Sequence, residues 1–139
     1  MKTISNKQLT IQVSPHGAEL CSIVANGKEY LWQADPAFWK RHSPVLFPIV
    51  GSVWENEYRN EGIPYTLTQH GFARDMEFMI VAEKEDEVRY RLVSNEETLK
   101  KYPKSAIPKH SMTTWILLNK VEKLPAMPDW NWRLKRARE

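Results

Sequence analysis

Residues 69–75, QHGFARD, place an imidazole, a glycine, an aromatic ring, a guanidinium and a carboxylate within seven positions. These groups can exchange protons, stack on a sugar or base, and hold oxygen-rich or anionic ligands. Gly71 beside His70 allows the backbone to approach a ligand closely. Clustered polar groups are also often purely structural. The stretch is therefore either an ordinary turn or one wall of a binding site.

The sequence lacks the common metal and phosphate motifs. It contains no Gly-rich phosphate loop, no HExxH and no GxSxG. No two of the four histidines lie within four residues of each other: His16, His42, His70 and His110. A metal site would need ligands from distant parts of the chain, so we expect no metal and no cofactor. Cys21 is the single cysteine, and we expect it to be buried and inert.

The elements that must position this chemistry are mainly β-strands. Apolar and polar residues alternate at period two, which predicts strands over residues 8–13, 19–25, 29–34, 63–68, 76–82 and 87–93. Asn26 and Gly27 predict a two-residue hairpin turn. Short helices are predicted near 36–41 and 96–101, each after a capping residue. Without βαβ alternation, the fold class is all-β, a sandwich or part of one.

Two segments do not fit a regular strand. Residues 44–51, PVLFPIVG, are apolar but contain Pro44 and Pro48, which cannot donate to a ladder. This segment is either a strand with an irregular start or a loop packed under a site. Residues 55–62, ENEYRNEG, are polar and predicted to be exposed.

The chain divides in character near Pro103. Residues 104–139 carry eight Lys or Arg against three acids, a net charge of +5, which leaves −2 on residues 1–103. Within this basic tail, residues 113–121 suit either a strand or a helix. A basic tail can attract nucleic acid, but no recognition motif accompanies it, so nucleic-acid binding is not expected. With no signal-like or membrane-length apolar run, we expect no membrane association and a cytoplasmic location.

Four pieces of sequence occur in the order found in one known family: SPHGAELCSI, NGKEYLWQADPAFWKRHSPVLFPIVGS, HGFARDMEF and SNEETLKKYP. Over residues 4–103 the chain resembles the aldose 1-epimerase (galactose mutarotase-like) family, in particular its mutarotase-related bacterial branch. The resemblance implies a β-supersandwich fold, of which residues 1–103 would be the N-terminal portion. It also implies an isomerase that interconverts the α and β anomers of an aldose or a sugar phosphate.

The resemblance also implies roles for individual residues. In the family a glutamate removes the C1 hydroxyl proton, a histidine protonates the ring oxygen, and an earlier histidine followed by glycine holds sugar oxygens. His70 matches the earlier histidine and is the candidate catalytic residue. Arg74 matches a position that faces substrate phosphate in hexose-phosphate relatives, and Arg41 is a further candidate contact, with a solvated surface charge as its alternative. Phe72 would either stack on the sugar or pack in the core.

The resemblance does not extend to the family's acid and base. His110, Glu122 and Glu139 lack the matching context, so neither role is transferred to them. The chain is expected to be either a truncated or frame-shifted copy without activity, or a short protein that completes its sheets by self-association. The alternative function is a non-catalytic sugar-binding or self-assembling module of the same fold.

Overall fold

The computed structural model describes residues 1–103 and 111–117, and the described chain is built from antiparallel strands. The strands are β1 (Lys2–Ser5), β2 (Thr10–Ser14), β3 (Glu19–Ala25), β4 (Lys28–Glu29), β5 (Glu57–Asn60), β6 (Ile63–Thr66), β7 (Met79–Glu83), β8 (Glu87–Val93) and β9 (Ser111–Leu117). One helix, α1 (Glu96–Lys101), and two 3₁₀ turns, Trp54–Asn56 and Ala73–Asp75, complete the described elements. The all-β prediction is confirmed. None of the helices described reaches the length and apolarity that a membrane span requires.

The first sheet has the order β1-β2-β3-β4, and each strand follows its neighbour through a hairpin. Asn26 and Gly27 have φ values of 51° and 74°, so the predicted two-residue turn between β3 and β4 is confirmed. The β2–β3 pairing shifts register between Gln12 and Val13, which marks a β-bulge.

Strand β4 is shorter than the predicted strand over 29–34, because the Glu29 side chain takes the Ile23 amide, although the Tyr30 amide still donates to the Ile23 carbonyl at 2.9 Å. The Glu29 carboxylate accepts from the amides of Ile23, Tyr30 and Leu31 at 2.9, 3.0 and 2.8 Å, and from the Ser22 hydroxyl at 2.5 Å. With the hydroxyl bond as the largest cause, these bonds lower the pKa of Glu29 to about 2. A side chain that competes with the ladder in this way ends the strand.

The other strands form a β5-β6 hairpin and a sheet of order β7-β8-β9. Strand β8 buries Val88, Tyr90 and Leu92 at period two, and these residues join one core cluster with Ile11 and Val13 of β2. The Tyr90 hydroxyl donates to the Val13 carbonyl at 3.3 Å, which links the two sheets inside the core. Of residues 113–121, for which strand and helix were both left open, residues 113–117 belong to strand β9, which pairs with β8, and residues 118–121 lie outside the described residues.

The predicted helix near 36–41 is wrong, whereas the one at 96–101 is confirmed. Asp35 caps only one turn, because its side chain accepts from Ala37 at 2.9 Å and its carbonyl accepts from Trp39 at 2.9 Å. The Trp39 carbonyl is then taken by the Trp32 indole at 2.8 Å, and Phe38 stays 81% exposed, so no apolar face is buried. By contrast, α1 begins at Asn95 with a reciprocal capping box.

Candidate functional site

Three segments that are distant in sequence are joined by backbone hydrogen bonds: residues 15–18, 45–51 and 70–78. We call them the platform. Gly17 connects all three, because its amide donates to the Met76 carbonyl at 2.8 Å and its carbonyl accepts from the Val45 amide at 2.9 Å. A Cβ atom on Gly17 would lie 2.8 Å from the Arg74 carbonyl oxygen, so the contact needs glycine.

The proline-containing segment 45–51 packs directly beneath QHGFARD. The Phe47 carbonyl accepts from Phe72 at 2.9 Å and from Ala73 at 3.2 Å, and Phe47 pairs with Gly71 in a parallel bridge. Gly71 has φ +70°, and a Cβ atom there would overlap the Phe47 carbonyl oxygen. The prediction that 44–51 is no regular strand is therefore confirmed, and of the two options left open the structure has a loop packed under the polar stretch.

His70 occupies an unusual position in the backbone. The Gly71 amide donates to the Thr68 carbonyl at 2.9 Å, so residues 68–71 form a β-turn, and His70 at its third position has φ +65°. A turn with positive φ at this position favours glycine or asparagine. A histidine there costs about 1–2 kcal/mol of backbone strain. Such strain is typical of side chains held in place for binding or catalysis.

The His70 ring is fixed by Gly51. The His70 amide donates to the Gly51 carbonyl at 2.7 Å, and the Gly51 amide donates to His70 Nδ1 at 2.9 Å. An N–H donor at Nδ1 requires a lone pair on that nitrogen, so the proton of the neutral imidazole lies on Nε2. His70 is thus held as an Nε2–H hydrogen-bond donor.

The two arginines of the predicted site meet at Asp75. Arg41 Nη2 lies 2.5 Å from Asp75 Oδ1, and Arg74 Nε lies 3.5 Å from Asp75 Oδ2. Arg41 Nη1 also donates to the Arg74 carbonyl at 3.3 Å. Two guanidiniums against one carboxylate leave a local charge of +1, which favours an anionic or oxygen-rich ligand.

Electrostatics keep this cluster ionised. Partial burial alone would raise the pKa of Asp75, but the hydrogen bond from Arg41 and the charges of Arg41 and Arg74 outweigh it and lower the pKa. Arg74 Nε is buried and has no hydrogen-bond partner in the part of the chain that the structure describes. Its nearest anionic atom is Asp75 Oδ2 at 3.5 Å, so the ion pair with Asp75 takes the place of a hydrogen bond.

Phe72 lies in the core. Its side chain is 7% exposed, and its ring centroid lies 6.1 Å from that of Phe47 in an edge-on arrangement. Of the two roles considered for Phe72, this geometry favours packing.

His70 and Arg74 lie on the same platform segment, and Arg41 reaches that segment through Asp75. That His70, Arg74 and Arg41 contact one substrate stays a prediction. Sequence reasoning assigned no role to Asp75 or Gly51. Asp75 carried a signal, as a carboxylate next to Arg74, whereas the Gly51 contact depends on the fold alone. Neither the acid nor the base role was transferred to His110, Glu122 or Glu139, and these three residues lie outside the described part of the chain.

The fold and this geometry define an all-β protein whose irregular segments present a fixed imidazole donor and a paired guanidinium cluster. The family model for aldose 1-epimerase matches residues 1–107. Protein LacX (chromosomal) of Lactococcus lactis subsp. lactis is 38% identical over 105 residues, which cover 71% of this chain and 35% of that protein.

Solved structures of galactose mutarotase-like proteins also resemble this chain. A galactose mutarotase related enzyme from Lactobacillus acidophilus is 43% identical with a TM-score of 0.72, covering 73% of this chain and 35% of that one. A galactose mutarotase-like protein from Lactobacillus casei is 40% identical with a TM-score of 0.72, covering 74% and 36%. The chain therefore belongs to the aldose 1-epimerase family. It spans about a third of the length of these relatives.

Proposed function

We propose that this chain supplies the sugar-binding wall of an aldose 1-epimerase-type isomerase, with His70 as a donor to a sugar oxygen. The observation that carries the proposal is the hydrogen bond from the Gly51 amide to His70 Nδ1, which places the proton of the neutral ring on Nε2 as a donor. Sugar hydroxyls and ring oxygens accept such a bond, and a fixed donor loses little entropy on binding.

The chemistry of anomer exchange explains why this donor is useful. A base removes the C1 hydroxyl proton while an acid protonates the ring oxygen, and the C1–O5 bond breaks to give the open aldehyde. Rotation about C1–C2 presents the other aldehyde face, and ring closure with the reverse proton transfers gives the other anomer. His70 orients the sugar in this scheme. The acid and base are not matched by residues of this sequence.

The substrate class we propose is an aldose, free or phosphorylated. Arg41 and Arg74 support the phosphorylated form, because a guanidinium binds phosphate oxygens with paired N–H donors. The side chains of Arg41 and Arg74 are 27% and 23% exposed, so both are partly accessible to such a ligand. The cytoplasm is the compartment we propose, and the free, buried Cys21 fits a reducing environment.

Mutarotation of freshly dissolved α-D-galactose or α-D-glucose, followed by polarimetry, tests the catalytic part. Each missing proton-transfer partner forgoes roughly 10²–10⁴-fold, so we expect little acceleration by this chain but measurable weak sugar binding. His70→Asn is the sharpest variant, because asparagine tolerates positive φ and can accept from the Gly51 amide. It should weaken sugar binding while the chain stays folded. Unchanged sugar binding by the folded variant would contradict the proposal.

Comparing a hexose with its 6-phosphate tests the arginines. If the pair holds phosphate, the phosphorylated sugar binds at least tenfold more tightly than the free sugar, and Arg41→Ala or Arg74→Ala removes that preference. The matched control is Arg59→Ala, an arginine on β5 whose side chain is 68% exposed. Equal affinity for both sugars in the unmodified chain would assign the site to free aldoses.

The alternative is a non-catalytic sugar-binding or self-assembling module, and exposed apolar surface favours its assembly form. Met79, Ile80 and Val81 follow one another on the edge strand β7 and are 54%, 37% and 41% exposed. Such an edge pairs readily with another strand. Sedimentation of the chain and of Val81→Lys decides this case, since assembly through β7 predicts a dimer that the lysine disrupts.

A further inference from the structure

A second group of polar side chains lies beside the platform and takes no part in the proposed sugar contacts. Glu19, Cys21 and His42 bring one carboxylate oxygen, the thiol sulfur and one imidazole nitrogen within 4.8 Å of one another. His42 Nδ1 lies 3.8 Å from Glu19 Oε1. Tetrahedral zinc, with ligand bonds of about 2.0–2.3 Å, separates its ligands by about 3.3–3.8 Å. Small side-chain rotations would therefore close the group around one ion.

The backbone holds these residues together. Cys21 is the extra residue of the β2–β3 bulge, since Val13 pairs with Leu20 and Gln12 pairs with Ser22. Bulges re-aim a side chain out of the regular alternation. An isolated bridge between Leu20 and Ser43 then lays His42 against the bulge.

The carboxylate is also oriented before any ligand arrives. The His42 amide donates to Glu19 Oε1 at 2.7 Å, and the Cys21 thiol donates to the Glu19 carbonyl at 3.2 Å. Preformed ligand geometry lowers the cost of binding an ion.

The environment favours a cation. Cys21 is 7% exposed, and the side chains of Glu19 and His42 are 14% and 21% exposed. Binding of a metal would release the proton of the Cys21 thiol. Thiolate and carboxylate together carry −2, which a divalent cation neutralises.

We propose that Glu19, Cys21 and His42 form a three-ligand site for Zn²⁺ or a similar borderline-soft divalent cation, with the fourth position taken by water. Sulfur and imidazole nitrogen select such ions over Mg²⁺ and Ca²⁺, which prefer oxygen ligands. The ion would join β3 to residues 41–43 and so stiffen the segment that carries Arg41. This proposal departs from the expectation of no metal and of an inert Cys21.

Cobalt titration tests the site, because thiolate-bound Co²⁺ gives a sulfur-to-metal charge-transfer band. The unmodified chain should bind one equivalent of Co²⁺ with this band, and Zn²⁺ should abolish it by displacement. Cys21→Ser should lose the band, and Glu19→Gln and His42→Gln should weaken binding at least tenfold. His16→Gln is the matched control, because His16 is an exposed histidine paired with Glu77 and lies outside the group, so its binding should equal that of the unmodified chain.

Thiol alkylation gives a readout that needs no variant, since Cys21 is the only cysteine of the chain. Zn²⁺ should slow the alkylation of the folded chain at least tenfold, and Mg²⁺ should leave the rate unchanged. No charge-transfer band in the unmodified chain, or an alkylation rate that Zn²⁺ does not change, would overturn the proposal.

Discussion

The platform and the β7–β8 hairpin both contribute to the core, but they are held together in different ways. In the hairpin, stability comes from the buried side chains of β8, with Val88 and Tyr90 at 0% exposure. In the platform, backbone lies directly on backbone, and Gly71 leaves no room for a Cβ atom beside Phe47. The hairpin should therefore respond to lost apolar volume, and the platform to added atoms and altered backbone angles.

The largest effect is expected for Gly71→Ala. The new methyl group overlaps the Phe47 carbonyl and the backbone must hold φ +70°, so we expect a loss of more than about 3 kcal/mol in the free energy of unfolding. Gly27→Ala is the matched control, with φ +74° and open space around it, and should cost about 1 kcal/mol. Urea denaturation measures both. Equal losses would mean that the platform contact is not tight.

A smaller effect is expected for Val88→Ala in the hairpin. Removing part of a fully buried side chain should cost about 1.5–3 kcal/mol, because apolar surface is lost from the core. Val81→Ala on the neighbouring strand removes the same atoms from a side chain that is 41% exposed and should cost well under half as much. Thermal unfolding followed by circular dichroism compares the pair, and a larger loss at Val81 would show that β7 is covered.

Two substitutions of His70 separate the effect of backbone strain at residue 70 from the effect of the lost side-chain hydrogen bond. Both His70→Ala and His70→Gly lose the hydrogen bond from the Gly51 amide to the ring nitrogen Nδ1, but only glycine relieves the positive φ. We expect the glycine variant to be more stable than the alanine variant by about 1 kcal/mol, opposite to the order in a regular strand. Matching urea midpoints for the two variants would remove the argument that the backbone at His70 is strained.

The smallest effect concerns the acid dependence of Asp75. Its pKa is lowered in the folded chain, so its contribution to stability is present above the usual value of 3.8 and is lost as the pH falls through the lower folded value. Because its side chain is 50% exposed, we expect Asp75→Asn to cost about 0.2–1 kcal/mol at pH 7. The difference in unfolding free energy between the variant and the unmodified chain should close as the pH falls below the lowered pKa of Asp75. If the difference in unfolding free energy between the two proteins widens in acid, folding raises the pKa of Asp75 instead of lowering it.

The difference between the platform and the β7–β8 hairpin also explains which elements of the fold could be predicted from the sequence. Regular alternation located β3 and β8, and Asn95 located the helix α1, because local pattern and capping determine these elements. Strand β5 was not predicted, because it lies in a charged stretch. Its hairpin turn uses Glu61 and Gly62, which is a weaker sequence signal for a turn than Asn-Gly. Strand β1 was also missed.

The site was only partly predictable for the same reason. The residue types of QHGFARD indicated a possible site, and the family resemblance proposed His70, Arg74 and Arg41 as its contacts, which stay predictions. The partners that fix these residues come from elsewhere in the chain. Gly51 and the Glu19–Cys21–His42 group are assembled by long-range contacts, which a period-two pattern does not encode.

Long-range ¹H–¹⁵N spectra of the histidine rings, recorded while D-galactose is added, test the central claim most directly. We predict that neutral His70 carries its proton on Nε2. The chemical shift of Nε2 should change with sugar concentration until it saturates, whereas the chemical shift of the Val88 backbone amide should stay constant. A proton on Nδ1 of His70, or a His70 ring that does not respond while sugar binds elsewhere, would contradict the account.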